Sequence, residues 1–299
     1  MSVDTNNHLP YRVKRGIQFG KPDRVRLKLD LYLPAGDPST PRPTLVLIHG
    51  GAWLFGTRFQ LHWYGRRLAQ EGYVAAAINY RLLPTYPFPY CLHDCKAAVR
   101  WLRLHAAEYG IDVDRIGAIG NSAGGHLTGL LATTRPRDGF EGPLNPGASS
   151  EVQAAISIYG AVDLTEYRRW GDRSLNGKIT SKFIGYFVGL GRGRRPGSNA
   201  WETASPITYA HRDVPPMMFI HGTRDFLVNV EQSRRFTERL NEVGAHAELL
   251  TLHNRGHGFD FFDPWKRREV WVDMLKFLNQ RLRGDDRAPE LNQKSVSPE

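Results

Sequence analysis

The sequence predicts an α/β protein with a mostly parallel central sheet, an antiparallel N-terminal edge and helices on both faces. Three observations carry this prediction. Short continuous apolar runs, such as Thr44-Leu45-Val46-Leu47-Ile48, mark strands buried on both faces. These runs alternate with longer stretches whose apolar residues recur at helical spacing, the rhythm of strand–helix–strand units. Near the start, Val25, Leu27, Leu29, Leu31 and Leu33 instead alternate with Arg26, Lys28, Asp30 and Tyr32, the pattern of an antiparallel strand with one wet face.

Residues 11–19 and 25–33 read as two strands joined by the turn Gly20-Lys21-Pro22-Asp23. A Pro-rich link over 34–43 leads into the buried strand 44–48. A helix over 60–70 and a strand over 74–78 follow. Beyond the loop NYRLLPTYPFPY, Ala97, Ala98, Trp101, Leu102 and Ala106 place a helix over 92–108. Ile116 to Ile119 form a short apolar strand, and an abrupt turn, Gly120-Asn121-Ser122-Ala123-Gly124, opens the next helix. Strands over 154–159, 217–220 and 248–252 and helices over 231–243 and 270–282 complete the alternation. Residues 1–283 therefore read as one domain. Residues 163–201 are too long for an ordinary connection and read as a cap or lid insertion. The polar stretch 284–299 reads as a disordered tail.

A chain of 299 residues with a formal charge of +10 raises polyanions as partners. Its Lys and Arg are scattered, with local clusters at Arg66–Arg67, Arg192–Arg195 and Lys266–Arg268. No helix-turn-helix or zinc pattern accompanies them, so nucleic acid is not expected as a partner. Cys91 and Cys95 lie in a helical stretch without metal-site spacing and read as free thiols packed in a helix. No basic–apolar leader opens the sequence and no run of about 18 apolar residues is present, so no membrane span is expected. A cytoplasmic protein is expected, unless a leader has been removed.

The turn Gly120 to Gly124 is a G-x-S-x-G elbow between strand and helix, which lifts the Ser122 hydroxyl clear of the backbone. A serine hydroxyl needs a base within hydrogen-bond reach, an acid to orient that base, and donors for the oxyanion. Each has a candidate just past a strand. His49-Gly50-Gly51-Ala52-Trp53 follows strand 44–48, and Gly50, Gly51 and Ala123 can turn N–H groups toward an oxyanion. Asp225 follows strand 217–220, with Asp163 as its rival. His257, between two glycines after strand 248–252, is the candidate base, with His253 as its rival. Trp53 and Phe55 are candidate pocket walls. His49, His126 and His221 read as structural groups, and Arg81 with Asp94 as a structural ion pair.

Together HGGAW, NYRLLPTYPFP, GNSAGGHL, HGTRDFLV and GHGF resemble the α/β-hydrolase superfamily over residues 25–283. More narrowly they resemble its carboxylesterase branch with an HGG oxyanion motif, which holds hormone-sensitive-lipase-like esterases and carbohydrate acetyl and feruloyl esterases. The resemblance implies the α/β-hydrolase fold and hydrolysis of a small or short-acyl ester through an acyl-enzyme, acetylated or feruloylated carbohydrate among the candidate substrates. It implies Ser122 as nucleophile, His257 as general base and acid, Asp225 as its orienting partner, and Gly50, Gly51 and Ala123 as oxyanion donors, with no cofactor or metal. The sequence reads HGGA where many hormone-sensitive-lipase-like members have HGGG, which leans the resemblance toward the acetyl and feruloyl group. An arylformamidase-type amide hydrolase is the alternative. A catalytically silent binding protein, as the gibberellin receptors are, fits less well because both Asp225 and His257 are present.

Overall fold

A computed structural model describes residues 9–37, 39–171, 175–190 and 199–285. The start of the chain before residue 9, the Arg192–Arg195 cluster and the predicted tail from residue 286 onward lie outside these residues, as do 172–174 and 191–198 of the inserted segment.

Eight strands form one sheet: β1 (Tyr11–Gly20), β2 (Leu27–Pro34), β3 (Arg42–Ile48), β4 (Val74–Ile78), β5 (Ile111–Asn121), β6 (Ala154–Ile158), β7 (Met217–Gly222) and β8 (Ala247–Leu252). Their spatial order is β1-β2-β4-β3-β5-β6-β7-β8. β2 runs antiparallel to both β1 and β4, and every pairing from β4 through β8 is parallel. The expected antiparallel N-terminal edge is therefore present.

The helices are α1 (His62–Gln70), α2 (Tyr90–Leu104), α3 (Ala106–Tyr109), α4 (Ala123–Thr133), α5 (Thr165–Gly171), α6 (Leu175–Gly185), α7 (Ala200–Thr203), α8 (Val230–Glu242), α9 (Phe259–Phe262) and α10 (Pro264–Leu282). Strand side chains alternate between two cores. Val46, Ile48, Ala76 and Ala118 pack with Val99 of α2, Leu127 of α4 and Phe236 of α8. Leu45, Leu47, Ala75 and Ile119 pack with Leu68 of α1 and Met274 and Leu278 of α10. None of the described helices is long and apolar enough to cross a membrane.

Three expectations change. The face of β2 predicted to be wet is covered: Asp30 and Tyr32 are buried. Alternation reports only the local period; here α1 lies over the polar side. A Cβ on Gly65 of α1 would stand 2.5 Å from the Tyr32 ring, so this helix sits close only because position 65 has none. Asp30 is ion-paired to Arg58 at 2.7 Å and accepts the Gly16 N–H. The helix predicted over 92–108 breaks at His105 into α2 and α3, its imidazole Nδ1 bonding the Trp101 carbonyl. The last helix starts at Pro264, six residues before the apolar spacing begins, because a proline that lacks an N–H fits the first turn.

Candidate active site

The parallel strands end on one edge of the sheet, and the loops beyond β3, β5, β6, β7 and β8 converge there. At the end of β5 the backbone reverses at Ser122, whose φ of 53° and ψ of −121° lie in a region that side-chain-bearing residues rarely occupy. The elbow is as tight as the G-x-S-x-G spacing requires: a Cβ on Gly120 would stand 2.2 Å from the Gly124 carbonyl oxygen, and one on Gly124 2.0 Å from that of Ile48. The Ser122 N–H is taken by the Ile158 carbonyl of β6 at 2.9 Å, and the Ser122 carbonyl accepts the His126 N–H.

Ser122 Oγ lies 2.8 Å from His257 Nε2, and His257 Nδ1 lies 2.7 Å from Asp225 Oδ2. The imidazole is 17% exposed and the Asp225 side chain fully buried. The other carboxylate oxygen, Oδ1, accepts the N–H groups of Leu227 and Val228, both at 2.9 Å. His221 Nε2 lies 2.9 Å from the Val228 carbonyl and 3.2 Å from Asp225 Oδ2, so its proton is shared between them, and its Nδ1 faces the Ser233 hydroxyl at 2.7 Å. Burial opposes ionisation of Asp225, but the hydrogen bonds from His221 and His257, and that of the Val228 N–H, outweigh it. They hold the carboxyl well below the usual range. A buried carboxylate that also fixes its own loop is a rigid acceptor for one face of an imidazole.

The two rivals lie elsewhere. Asp163 accepts the Thr165 N–H and faces Arg169 and Arg235, each at 3.5 Å. His253 is exposed.

Gly50 abuts the serine: a Cβ there would stand 3.2 Å from that of Ser122. Gly51 has a φ of 117°, and Ala52 and Trp53 follow in left-handed conformations at 51° and 57°. Three positive φ angles in succession curl the loop until the Leu54 and Phe55 N–H groups close on the Gly51 carbonyl. The N–H groups of Gly50, Gly51 and Ala123 have no protein acceptor among the described residues. Ala123 is also the first residue of α4, where helix N–H groups and the positive dipole end favour an anion.

Trp53 and Phe55 take different positions. Phe55 is 60% exposed. Trp53 is buried, stacked on Phe187 of the inserted segment with ring centroids 4.1 Å apart. Its indole N–H donates to His126 Nδ1 at 3.2 Å, and His126 Nε2–H donates to the Ala204 carbonyl at 2.7 Å. Burial lowers the His126 pKa to about 4, which keeps it neutral and its two nitrogens in distinct roles. His126 thus ties the loop after β3 to the elbow helix and to the chain just past α7. The Phe88 N–H donates to the Phe187 carbonyl, pinning the inserted segment to the NYRLLPTYPFPY loop as well. In that loop Arg81 grips Asp94 through Nε and Nη2 and reaches Asp23 with Nη1. Cys91 and Cys95 are buried free thiols of α2.

Behind His257 lies a polar cluster that sequence reasoning did not find. Asp260, buried in α9, accepts hydrogen bonds from the hydroxyls of Tyr64, at 3.0 Å, and Tyr159. Asn121 Nδ2 donates to the Tyr159 hydroxyl at 3.3 Å. No three His, Cys, Asp or Glu side chains among the described residues are grouped to hold a metal ion.

Residues 29–240 match the BD-FAE family model. Esterase LipC of Mycobacterium tuberculosis (strain ATCC 25618 / H37Rv) is 34% identical over 277 residues, covering 91% of this chain and 66% of its own. Isoprenylcysteine alpha-carbonyl methylesterase ICME of Arabidopsis thaliana is 26% identical over 293 residues, covering 93% and 66%. The chain spans 60–66% of the length of the mycobacterial relatives it matches. Among solved structures, the native thermophilic esterase Est2 of the planctomycete Thermogutta terrifontis superposes with a TM-score of 0.74 at 28% identity, covering 96% of both chains. Its butyrate-bound form gives a TM-score of 0.73 at 28% identity, covering 96% of this chain and 98% of that one.

Proposed function

The chain belongs to the BD-FAE family, within the carboxylesterase branch of the α/β-hydrolases, and from that membership we propose that it hydrolyses carboxylic esters through an acyl-enzyme on Ser122. The observation that carries this reading is the unbroken hydrogen-bonded line from Ser122 Oγ through His257 to Asp225. His257 Nε2 takes the hydroxyl proton as Oγ attacks the ester carbonyl, and Asp225 holds Nδ1–H so that Nε2 is the free acceptor. The carbonyl oxygen gains negative charge and is met by N–H groups of Gly50, Gly51 and Ala123. His257 then returns the proton to the departing alkoxide. Water repeats the attack on the acyl-serine, with the same imidazole as base, and the carboxylic acid leaves.

The acyl group is short in this reading. Trp53, stacked on Phe187, walls the site on the oxyanion side, and Phe55 offers an exposed apolar rim to the alcohol portion. Est2 of Thermogutta terrifontis, which has propionate-bound and butyrate-bound forms, supports the same acyl length. The described part of the segment 163–201 serves as a cap in this reading, with Phe187 stacked on Trp53.

Ser122→Ala tests the reading on a panel of aryl esters running from acetyl to octanoyl, with acetylated xylan, a feruloyl ester and an arylformamide alongside. Turnover of the short esters falls by at least about 10⁴-fold while the fold is retained. Undiminished turnover overturns the assignment, and parent activity confined to the arylformamide moves it to the amide class.

A further inference from the structure

We propose that Tyr159, anchored by Asp260, is a positioning residue that supports His257 in its protonated state during turnover. The proposal rests on the reading of His257 as the general base.

The Tyr159 and His257 rings lie 4.5 Å apart between centroids, inclined at 56°. That is within the range at which an aromatic face attracts a cation, and His257 becomes a cation when it takes the Ser122 proton. The Tyr159 hydroxyl donates to Asp260 Oδ1 and accepts from Asn121 Nδ2. A phenol that donates to a buried carboxylate has an electron-rich ring, better suited to a cation than a free phenol or phenylalanine.

The placement is over-determined. Tyr159 has a φ of 40°, uncommon for a large side chain, and its N–H is held by the Ile220 carbonyl at 2.8 Å. Asn121 immediately precedes Ser122, and Asp260 follows His257 by three residues. The cluster therefore links the nucleophile's strand to the base's loop. On the far side of Asp260, Tyr64 of α1 supplies the second hydroxyl and Arg267 of α10 a nearby positive charge. Around His257 itself the facing groups are Ser122, Asp225 and Tyr159. Nothing in the hydrolytic steps uses Asp260, Tyr64 or the Tyr159 hydroxyl directly, yet burying an acid with two phenols is costly unless all three are satisfied.

The test compares Tyr159→Leu, Tyr159→Phe, Asp260→Asn and the Tyr159→Phe/Asp260→Asn double variant. Rates are normalised to active sites counted by stoichiometric reaction with a chromogenic organophosphate. Loss of the ring in Tyr159→Leu moves the acid limb of the kcat/KM profile down by roughly 0.5 to 1 pH unit and lowers plateau kcat about tenfold, with KM within about twofold. Tyr159→Phe and Asp260→Asn each give a smaller shift in the same direction. The double variant is no worse than either single one, because Asp260 acts through the Tyr159 hydroxyl. If Asp260→Asn does not fold, Tyr64→Phe takes its place: it leaves the Tyr159 hydroxyl a stronger hold on the Asp260 carboxylate and moves the acid limb in the opposite direction, upward. An unmoved acid limb in Tyr159→Leu, or additive losses in the double variant, overturns the proposal. A parent protein whose turnover survives Ser122→Ala fails the esterase reading instead, so the two failures are distinguishable.

Discussion

Replacing Asp225 by Asn probes the site with an almost isosteric change, and the surrounding hydrogen bonds dictate the outcome. Oδ1 of Asp225 accepts the Leu227 and Val228 N–H groups, and Oδ2 faces His257 Nδ1 and His221 Nε2. An asparagine must turn its amide NH₂ toward one pair or the other. Turned toward the backbone pair, it sets NH₂ against two N–H groups that cannot change. Turned toward the histidines, it meets His221, whose Nε2–H can give up its share to Oδ2 and point wholly at the Val228 carbonyl, and His257, which can move its proton from Nδ1 to Nε2. The second arrangement loses less. It leaves the His257 proton on the nitrogen that faces Ser122 Oγ, where the base must have a lone pair. The expected result is a fall in kcat of about 10⁴-fold, or roughly 5 kcal/mol of transition-state stabilisation, with KM nearly unchanged. Burst and steady-state kinetics on a short-chain aryl ester measure this, with thermal melting as the control for folding. A companion Asp163→Asn variant keeps kcat within about threefold, because Asp163 is occupied by Thr165, Arg169 and Arg235. A kcat for Asp225→Asn within about tenfold of the parent refutes the tautomer argument, as does an equal loss in Asp163→Asn.

Two further outcomes concern stability. Arg81→Met strands the fully buried Asp94 carboxylate without its bidentate partner and costs about 3–5 kcal/mol in urea denaturation. Adding Asp94→Leu recovers part of that loss, and a single-variant cost below about 1 kcal/mol contradicts the pairing. Acid sensitivity follows from His49 and His126, whose pKa values burial lowers to about 4. Both are neutral in the folded state but titrate normally, near 6.5, when unfolded. Their contribution is complete above about pH 6.5 and declines toward pH 4, by about 1.4 kcal/mol per pH unit for each ring. Urea midpoints at pH 6.5, 5.5 and 4.5 test this: His126→Asn has a shallower decline than the parent, and an identical slope counts against it.

Ser122, His257 and Asp225, which the structure brings together, were legible as candidates because each stands at a place that backbone geometry constrains. Gly120 and Gly124 are dictated by sub-van-der-Waals approaches at the elbow, and such approaches leave a readable spacing. Asp225 follows the apolar run of β7 and His257 follows β8, and a parallel sheet brings such strand ends together whatever the intervening sequence. The groups that hold these residues in place left no such mark. Asp260 sits in the run Gly258-Phe259-Asp260-Phe261-Phe262, which carries no spacing signal, while its partners Tyr64 and Tyr159 are 196 and 101 residues away in the chain. Tyr32 and Asp30 lack such a mark too: their period is that of a half-wet strand, and only the helix lying over them makes that face dry. Likewise His126 was legible as a structural histidine, but its span from Trp53 to Ala204 was not. Local spacing points to the atoms proposed to react, since strain and turn chemistry are local. Long-range polar contacts decide how firmly the reacting atoms are held and how well His257 carries a charge. The first set predicts that Ser122, Asp225 and His257 work as a unit. The second predicts that Tyr159 and Asp260 adjust the pH at which the unit works.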